Sequence, residues 1–174
     1  MSATLERFDL DEKDKLLIYG IGNVGRQDDG LGVRLVEKLF QTITQDHLRK
    51  GVALESNYQL GIEDALLISE YDVVLFVDAT RENPPVIPFS IRSVKPSAEL
   101  SFTTHSMSIP SVLSLCDELY GSRPRAYCLT VPGYEWEIAE HLSSQAGINM
   151  EQAFNCLRAV ITKPVKEVLC TSSL

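Results

Sequence analysis

Residues Val73-Val74-Leu75-Phe76-Val77 are apolar on both faces of an extended chain, and the run ends on Asp78-Ala79. A strand of this kind must be covered from both sides, which places it inside a parallel sheet between two layers of helices. Leu16-Leu17-Ile18-Tyr19 is a shorter run of the same type, stopped by Gly20-Ile21-Gly22, the pattern of a buried strand entering a glycine turn.

Helical spacing fills the gaps between strands. From Asp28 onward, Leu31, Leu35, Val36, Leu39, Phe40 and Ile43 recur at steps that build one helix face. Val52-Ala53-Leu54 is a weaker strand, and a helix is expected over about 62 to 69. Asn83-Pro84-Pro85 marks a turn, Val86 to Ile91 reads as an edge or antiparallel strand, and Val94 to Phe102 as a polar connection. Ser108-Ile109-Pro110 can cap and start a helix that Gly121 ends. Ala126 to Val131 gives a further strand, and Met150 to Leu169 a last helix that Pro164 bends or breaks. Strands alternating with helices predict an α/β fold, a three-layer α/β/α sandwich around a mostly parallel sheet of about five strands. Residues 1–14 read as a flexible charged tail and 15–174 as one domain. In such sheets ligands sit beyond the carboxyl ends of the strands, where strand order reverses, so the residues after Gly20 and Val77 hold the interest.

Composition narrows the function classes. Against 16 Lys and Arg stand 24 Asp and Glu, a net charge of -8, so the long-range field repels phosphate backbones and argues against nucleic acid as a partner. No apolar run approaches the roughly 18 residues of a membrane span and the charged start lacks an apolar leader, so no membrane insertion and a cytoplasmic location are expected. Cys116, Cys128, Cys156 and Cys170 are widely spaced without metal-binding or redox patterns, and are read as reduced thiols.

Gly20-Ile21-Gly22-Asn23-Val24-Gly25 satisfies G-x-G-x-x-G after a strand, which raises a Rossmann-like dinucleotide site as an alternative. Arg26-Gln27-Asp28-Asp29-Gly30 argues against it by putting two carboxylates where the phosphate charge would go, and Glu55 lies too far along to be the ribose-binding acid. One of Asp28 and Asp29 reads as a helix cap, leaving the other for function, since adjacent carboxylates repel unless a cation or strong donor is near. Asp78 ends the central strand where an unpartnered carboxylate would be costly, so it calls for a cation or a cluster of donors. His105 lies in a polar segment before a helix, whereas His47 and His141 read as solvated surface imidazoles. Asp29, Asp78 and His105 offer two carboxylates and one imidazole, a set suited to a divalent first-row metal with open coordination positions. A serine hydrolase or zincin reading lacks its motifs.

These blocks, in this order, resemble the hydrogenase maturation endopeptidases, which remove a C-terminal extension from the large subunit of nickel-iron hydrogenases. The likeness runs from about Leu16 to Ile161 and is carried by Gly20-Ile21-Gly22-Asn23, Asp28-Asp29-Gly30-Leu31-Gly32-Val33, Val77-Asp78-Ala79, and His105 ahead of the 110–120 helix. The resemblance implies an α/β/α peptidase, aspartic-type by family classification, whose nickel contacts are Asp29, Asp78 and His105. Asp29 and Asp78 are then the catalytic candidates, Gly20, Gly22, Asn23, Asp28 and Gly30 form the supporting turn and cap, and Asp28 is either the helix cap or a water-orienting base. The implied partner is a nickel-loaded large-subunit precursor, with nickel carried by the substrate and contacted transiently. Where many members carry D-G-G-T-x-G, this chain has Ser56-Asn57-Tyr58-Gln59-Leu60-Gly61, similar to the variant in proteases serving cytoplasmic bidirectional, nicotinamide-coupled hydrogenases. A nickel-binding or delivery protein without hydrolytic activity is the other alternative.

Overall fold

The two apolar runs become neighbours at the centre of one sheet. In the structure, a computed structural model that describes residues 9–43, 48–82, 87–97 and 107–162, β1 (Leu16–Ile21) and β3 (Val73–Thr80) pair in parallel. β2 (Val52–Asn57) adds in parallel outside β1, β5 (Arg125–Pro132) in parallel beside β3, and β4 (Ser90–Val94) antiparallel to β5. The strand order is β2-β1-β3-β5-β4. Every side chain from Val73 to Val77 is buried, as a strand covered on both faces requires.

Alternation along the strands sorts the core into two halves. Leu16, Ile18, Val73, Leu75 and Val77 pack under α1 (Leu31–Thr42) and α4 (Ser144–Thr162). Leu17, Tyr19, Val74 and Phe76 pack under α2 (Asp64–Ser69) and α3 (Ile109–Tyr120). The result is the expected three-layer sandwich. The chain runs from β1 outward to β2 and then returns past β1 to β3, so strand order reverses between β1 and β3. That reversal opens a crevice at their carboxyl ends.

Local signals hold where local chemistry decides. The Ser108 hydroxyl accepts from the N–H of Ser111 at 3.2 Å, and Gly121 takes the left-handed conformation, φ 62°, that ends α3. Other boundaries fall away from their expected places. α4 begins at Ser144, ahead of the expected 150, because the buried Ser143 hydroxyl accepts from Ala146 N–H at 3.3 Å; the polar residues and Gly147 of this first turn hide its periodicity in the sequence. The expected 86–91 strand is found at Ser90–Val94, placed by its pairing with β5, and Val86 and Pro164 lie outside the described residues. Part of the segment read as a flexible tail is packed: Leu10 is buried, Asp9 N–H donates to the Tyr127 hydroxyl at 3.3 Å, and Arg49 donates to the carbonyls of Asp11, Glu12 and Asp14. Residues 9–14 are thus held against the rest of the fold. Cys116 and Cys128 are free thiols as expected, but Cys156 is disulfide-bonded, against the all-reduced reading; Cys170 lies outside the described residues. Among the described residues no helix is long and apolar enough to cross a membrane.

The start of α1 lies directly on the strand ends. A Cβ built on Gly32 would stand 2.1 Å from the Val77 carbonyl oxygen and 2.4 Å from that of Ile21, so only glycine fits between helix and sheet. Gly32→Ala is therefore expected to destabilise the protein by at least about 2 kcal/mol in urea unfolding. Gly121→Ala, in open space, should cost only about 1 kcal/mol through its φ. Equal unfolding midpoints for the two variants would contradict this packing.

Candidate active site

The turn after β1 is shaped by backbone contact before any side chain acts. Gly22 has φ 140°, and a Cβ there would meet the Asp29 carbonyl oxygen at 1.9 Å. Gly20 faces the Gly32 carbonyl, and Gly30 precedes α1 at the end of a 3-10 turn, Gln27–Gly30. Asn23 closes the loop, its Oδ1 accepting from Gly25 N–H at 2.9 Å while its own N–H donates to Asp29 Oδ2 at 3.2 Å. Asp29 is half-buried over the β1/β3 crevice, and Asn23 N–H is its carboxylate's hydrogen-bond donor among the described residues. Since Asp29 takes the amide that a dinucleotide pyrophosphate would need, the turn does not suit that ligand.

Asp78 stands at the carboxyl end of β3 and accepts from the Ala79 N–H at 2.8 Å. Its pKa is pushed up to about 6: burial is the largest cause, the Ala79 N–H opposes it, and the negative charge of Asp29 raises it further. The Asp29 charge thus reaches Asp78 although 48 residues intervene in the sequence. Beside them on β5, burial and the Asp78 charge push the Cys128 thiol up to about 12, so it stays protonated and is a poor metal ligand.

Asp28 has a different task from the one expected. It caps neither the 3-10 turn nor α1, both of which lack a side-chain cap. Its fully buried carboxylate instead reaches the segment between β5 and α4. Oδ2 accepts from the N–H groups of Tyr134 (2.7 Å) and Glu135 (3.0 Å) and from the Ser143 hydroxyl (2.7 Å), and Oδ1 from Ser143 N–H (2.8 Å). Burial alone would raise its pKa, but these donors together reverse the effect and hold it below the usual carboxylate range. Its oxygens are committed to the fold, which removes it as a water-orienting base. Gln27 supports the same contact from a strained backbone, φ 45°: its side chain donates to Glu135 Oε2 at 2.7 Å and accepts from Glu137 N–H at 2.8 Å. A non-glycine residue at such a φ costs about 1–3 kcal/mol, which these bonds offset.

On the other side of the crevice, Tyr19 donates to Asp64 Oδ1 at 2.6 Å and Asp64 Oδ2 accepts from Gly61 N–H at 2.7 Å, fixing the end of the 56–61 segment. Burial first, and then the bond to Asp64, raise the Tyr19 pKa, so it remains a donor. Leu60 O accepts from Met107 N–H at 3.1 Å. His105, like His47, lies outside the described residues. His141 is largely exposed, 3.1 Å from Gln27 Nε2.

The structure therefore brings Asp29 and Asp78 together and assigns Asp28 to scaffolding. Among the described residues no three His, Cys, Asp or Glu side chains form a metal-binding group. Two mutually repelling carboxylates with spare oxygen lone pairs do fit a divalent cation in chemistry. Sequence reading missed Gln27, Tyr19, Asp64 and Ser143; the only signal for them was a polar residue in or beside a buried run.

Because Asp78 titrates near 6 when folded and near 3.8 when unfolded, its ionised form disfavours the fold, and its unfavourable contribution fades as pH falls through that window. In chelator at pH 7.5, Asp78→Asn should raise unfolding free energy by about 1–2 kcal/mol after solvent screening, and the gain should vanish near pH 4. No gain at pH 7.5 would contradict the crowded-carboxylate geometry.

No family model matches the chain, and no curated sequence matches it. Solved structures do. The [NiFe] hydrogenase maturation protease HycI from Thermococcus kodakarensis KOD1 superposes with a TM-score of 0.69 at 21% identity, covering 87% of this chain and 95% of its own. The hydrogenase maturating endopeptidase HybD from Escherichia coli gives 0.65 at 22% identity over 84% and 91%. The hydrogenase 2 maturation peptidase from a Thaumarchaeota archaeon gives 0.60 at 18% over 84% and 97%. At such identities the likeness speaks to architecture, and it is nearly end to end: this chain has the fold of the hydrogenase maturation proteases.

Proposed function

We propose that this chain is a maturation endopeptidase that removes the C-terminal extension of a nickel-loaded large-subunit precursor of a nickel-iron hydrogenase. The observation that carries the reading is that Asp78 at the end of β3 lies within reach of the Asp29 charge beside the β1/β3 crevice, in a fold shared with maturation proteases. The burial of Asp78 and the Asp29 charge near it favour a positive charge at this place.

Nickel belongs to the substrate in this reading. It arrives on thiolates of the precursor, and Asp29, Asp78 and His105 complete its coordination, which seats the scissile bond against the crevice. A divalent ion so placed can polarise a carbonyl or lower the pKa of a bound water, and it also serves as the sign that the precursor is ready for cleavage. Among the described residues Asp29 accepts from a single amide and retains an oxygen for the ion; Asp28, held by four donors, does not.

Incubation of the purified protein with nickel-loaded precursors should shorten the large subunit by one peptide, read by intact mass. Asp78→Ala and His105→Ala should lower the rate by about 10²-fold or more while circular dichroism stays native. Metal transfer without shortening would favour a delivery protein, and normal cleavage by both variants would remove these residues from the chemistry.

A further inference from the structure

The segment 133–143 joins β5 to α4 without regular structure, yet it is fastened at many points to the turn that carries the acid pair. Beyond the bonds to Asp28 and Gln27 side chains, Gln27 N–H donates to Ala139 O at 2.7 Å and Asp28 N–H to Glu135 O at 3.2 Å. Arg34 donates to Glu140 O, and Arg81 stacks 4.2 Å from the centre of the Trp136 ring. On this fixed frame Ile138 is 88% exposed, the most exposed large hydrophobic residue among those described.

A lone exposed isoleucine is ordinary on a protein surface. This one stands on a loop ordered in advance, at the carboxyl ends of β3 and β5 and fastened to the turn that positions Asp29. A partner that docks there need not freeze the loop, so little ordering entropy opposes contact. Beside Ile138, Glu137 and Glu140 are exposed and form no ion pair among the described residues. The nearby cations are already engaged, Arg26 and Arg34 on carbonyl oxygens and Arg81 on the indole face.

We propose that residues 134–141 form the docking ledge for the substrate protein, with Ile138 entering an apolar socket whose rim presents lysine or arginine to Glu137 and Glu140. The identity of that partner rests on the protease reading; the ledge itself rests on the tethered loop and its exposed anchor. Docking through it is independent of nickel, because neither Ile138 nor its rim is a ligand.

Binding of nickel-free precursor, which the proposed reaction leaves uncleaved, tests this by surface plasmon resonance. Ile138→Asp should weaken binding at least tenfold, Ile138→Leu should retain it, and Glu137→Lys with Glu140→Lys should slow association and flatten its salt dependence. The melting temperature of Ile138→Asp should match wild type, given the exposure of the side chain. With loaded precursor, Ile138→Asp should raise KM and leave kcat nearly unchanged. Equal binding by wild type and Ile138→Asp, or no binding by wild type, overturns the ledge. The protease reading is judged separately: Ile138-dependent binding without shortening by wild type removes the protease and keeps the ledge, whereas shortening with an unchanged KM in Ile138→Asp does the reverse.

Discussion

Everything at the crevice depends on a backbone-to-backbone contact, the seating of the first turn of α1 on the ends of β1 and β3. Gly32 lies against the carbonyls of Ile21 and Val77, and Gly22 against the carbonyl of Asp29, at separations that exclude any side chain. Such a contact has no rotamers through which to relax, so it fixes Asp29 relative to Asp78 more tightly than side-chain packing would. The helix gives up stability to glycine for this, about 1 kcal/mol per interior position. The gain is a carboxylate held over a strand end that carries another.

The adjacent acids Asp28 and Asp29 divide their work by burial. Asp28 is sealed in and surrounded by four donors from residues 134–143, a charge-assisted cluster that ties a long connection to the turn and shares Ser143 with the start of α4. Asp29 accepts, among the described residues, one amide and lies at the crevice. An acidic pair in a glycine-rich turn is thus two devices, one that builds a wall of the site and one that stands in it. The positive φ of Gln27 falls just before this pair, in the turn whose Gln27 and Asp28 side chains both hold residues 134–143.

Much of the fold was legible because the central strands are covered on both faces and leave an unmistakable apolar run; Val73 to Val77 alone implied a layered parallel sheet. The cap at Ser108 and the stop at Gly121 were legible because their chemistry is local. The packing of the segment around Leu10 and the role of Asp28 were hidden, since each is decided by a partner more than 100 residues away; the start of α4 rests on a local serine cap in a polar first turn that carries no apolar periodicity. For the site, a charged residue after an apolar run singled out Asp78, and a doubled acid singled out the turn. Which acid of the pair would be buried was not written in its neighbours, because burial there comes from residues 134–143.

The central claim is that Asp29 and Asp78 belong to one cation site at the β1/β3 crevice. A crystal of the protein soaked with cadmium, a spectroscopically silent stand-in for nickel with strong anomalous scattering, addresses it directly. The account predicts an anomalous peak in contact with oxygens of both carboxylates and with the imidazole of His105. A peak on either acid without the other, or carboxylates turned away from one another with the metal bound elsewhere, would contradict it.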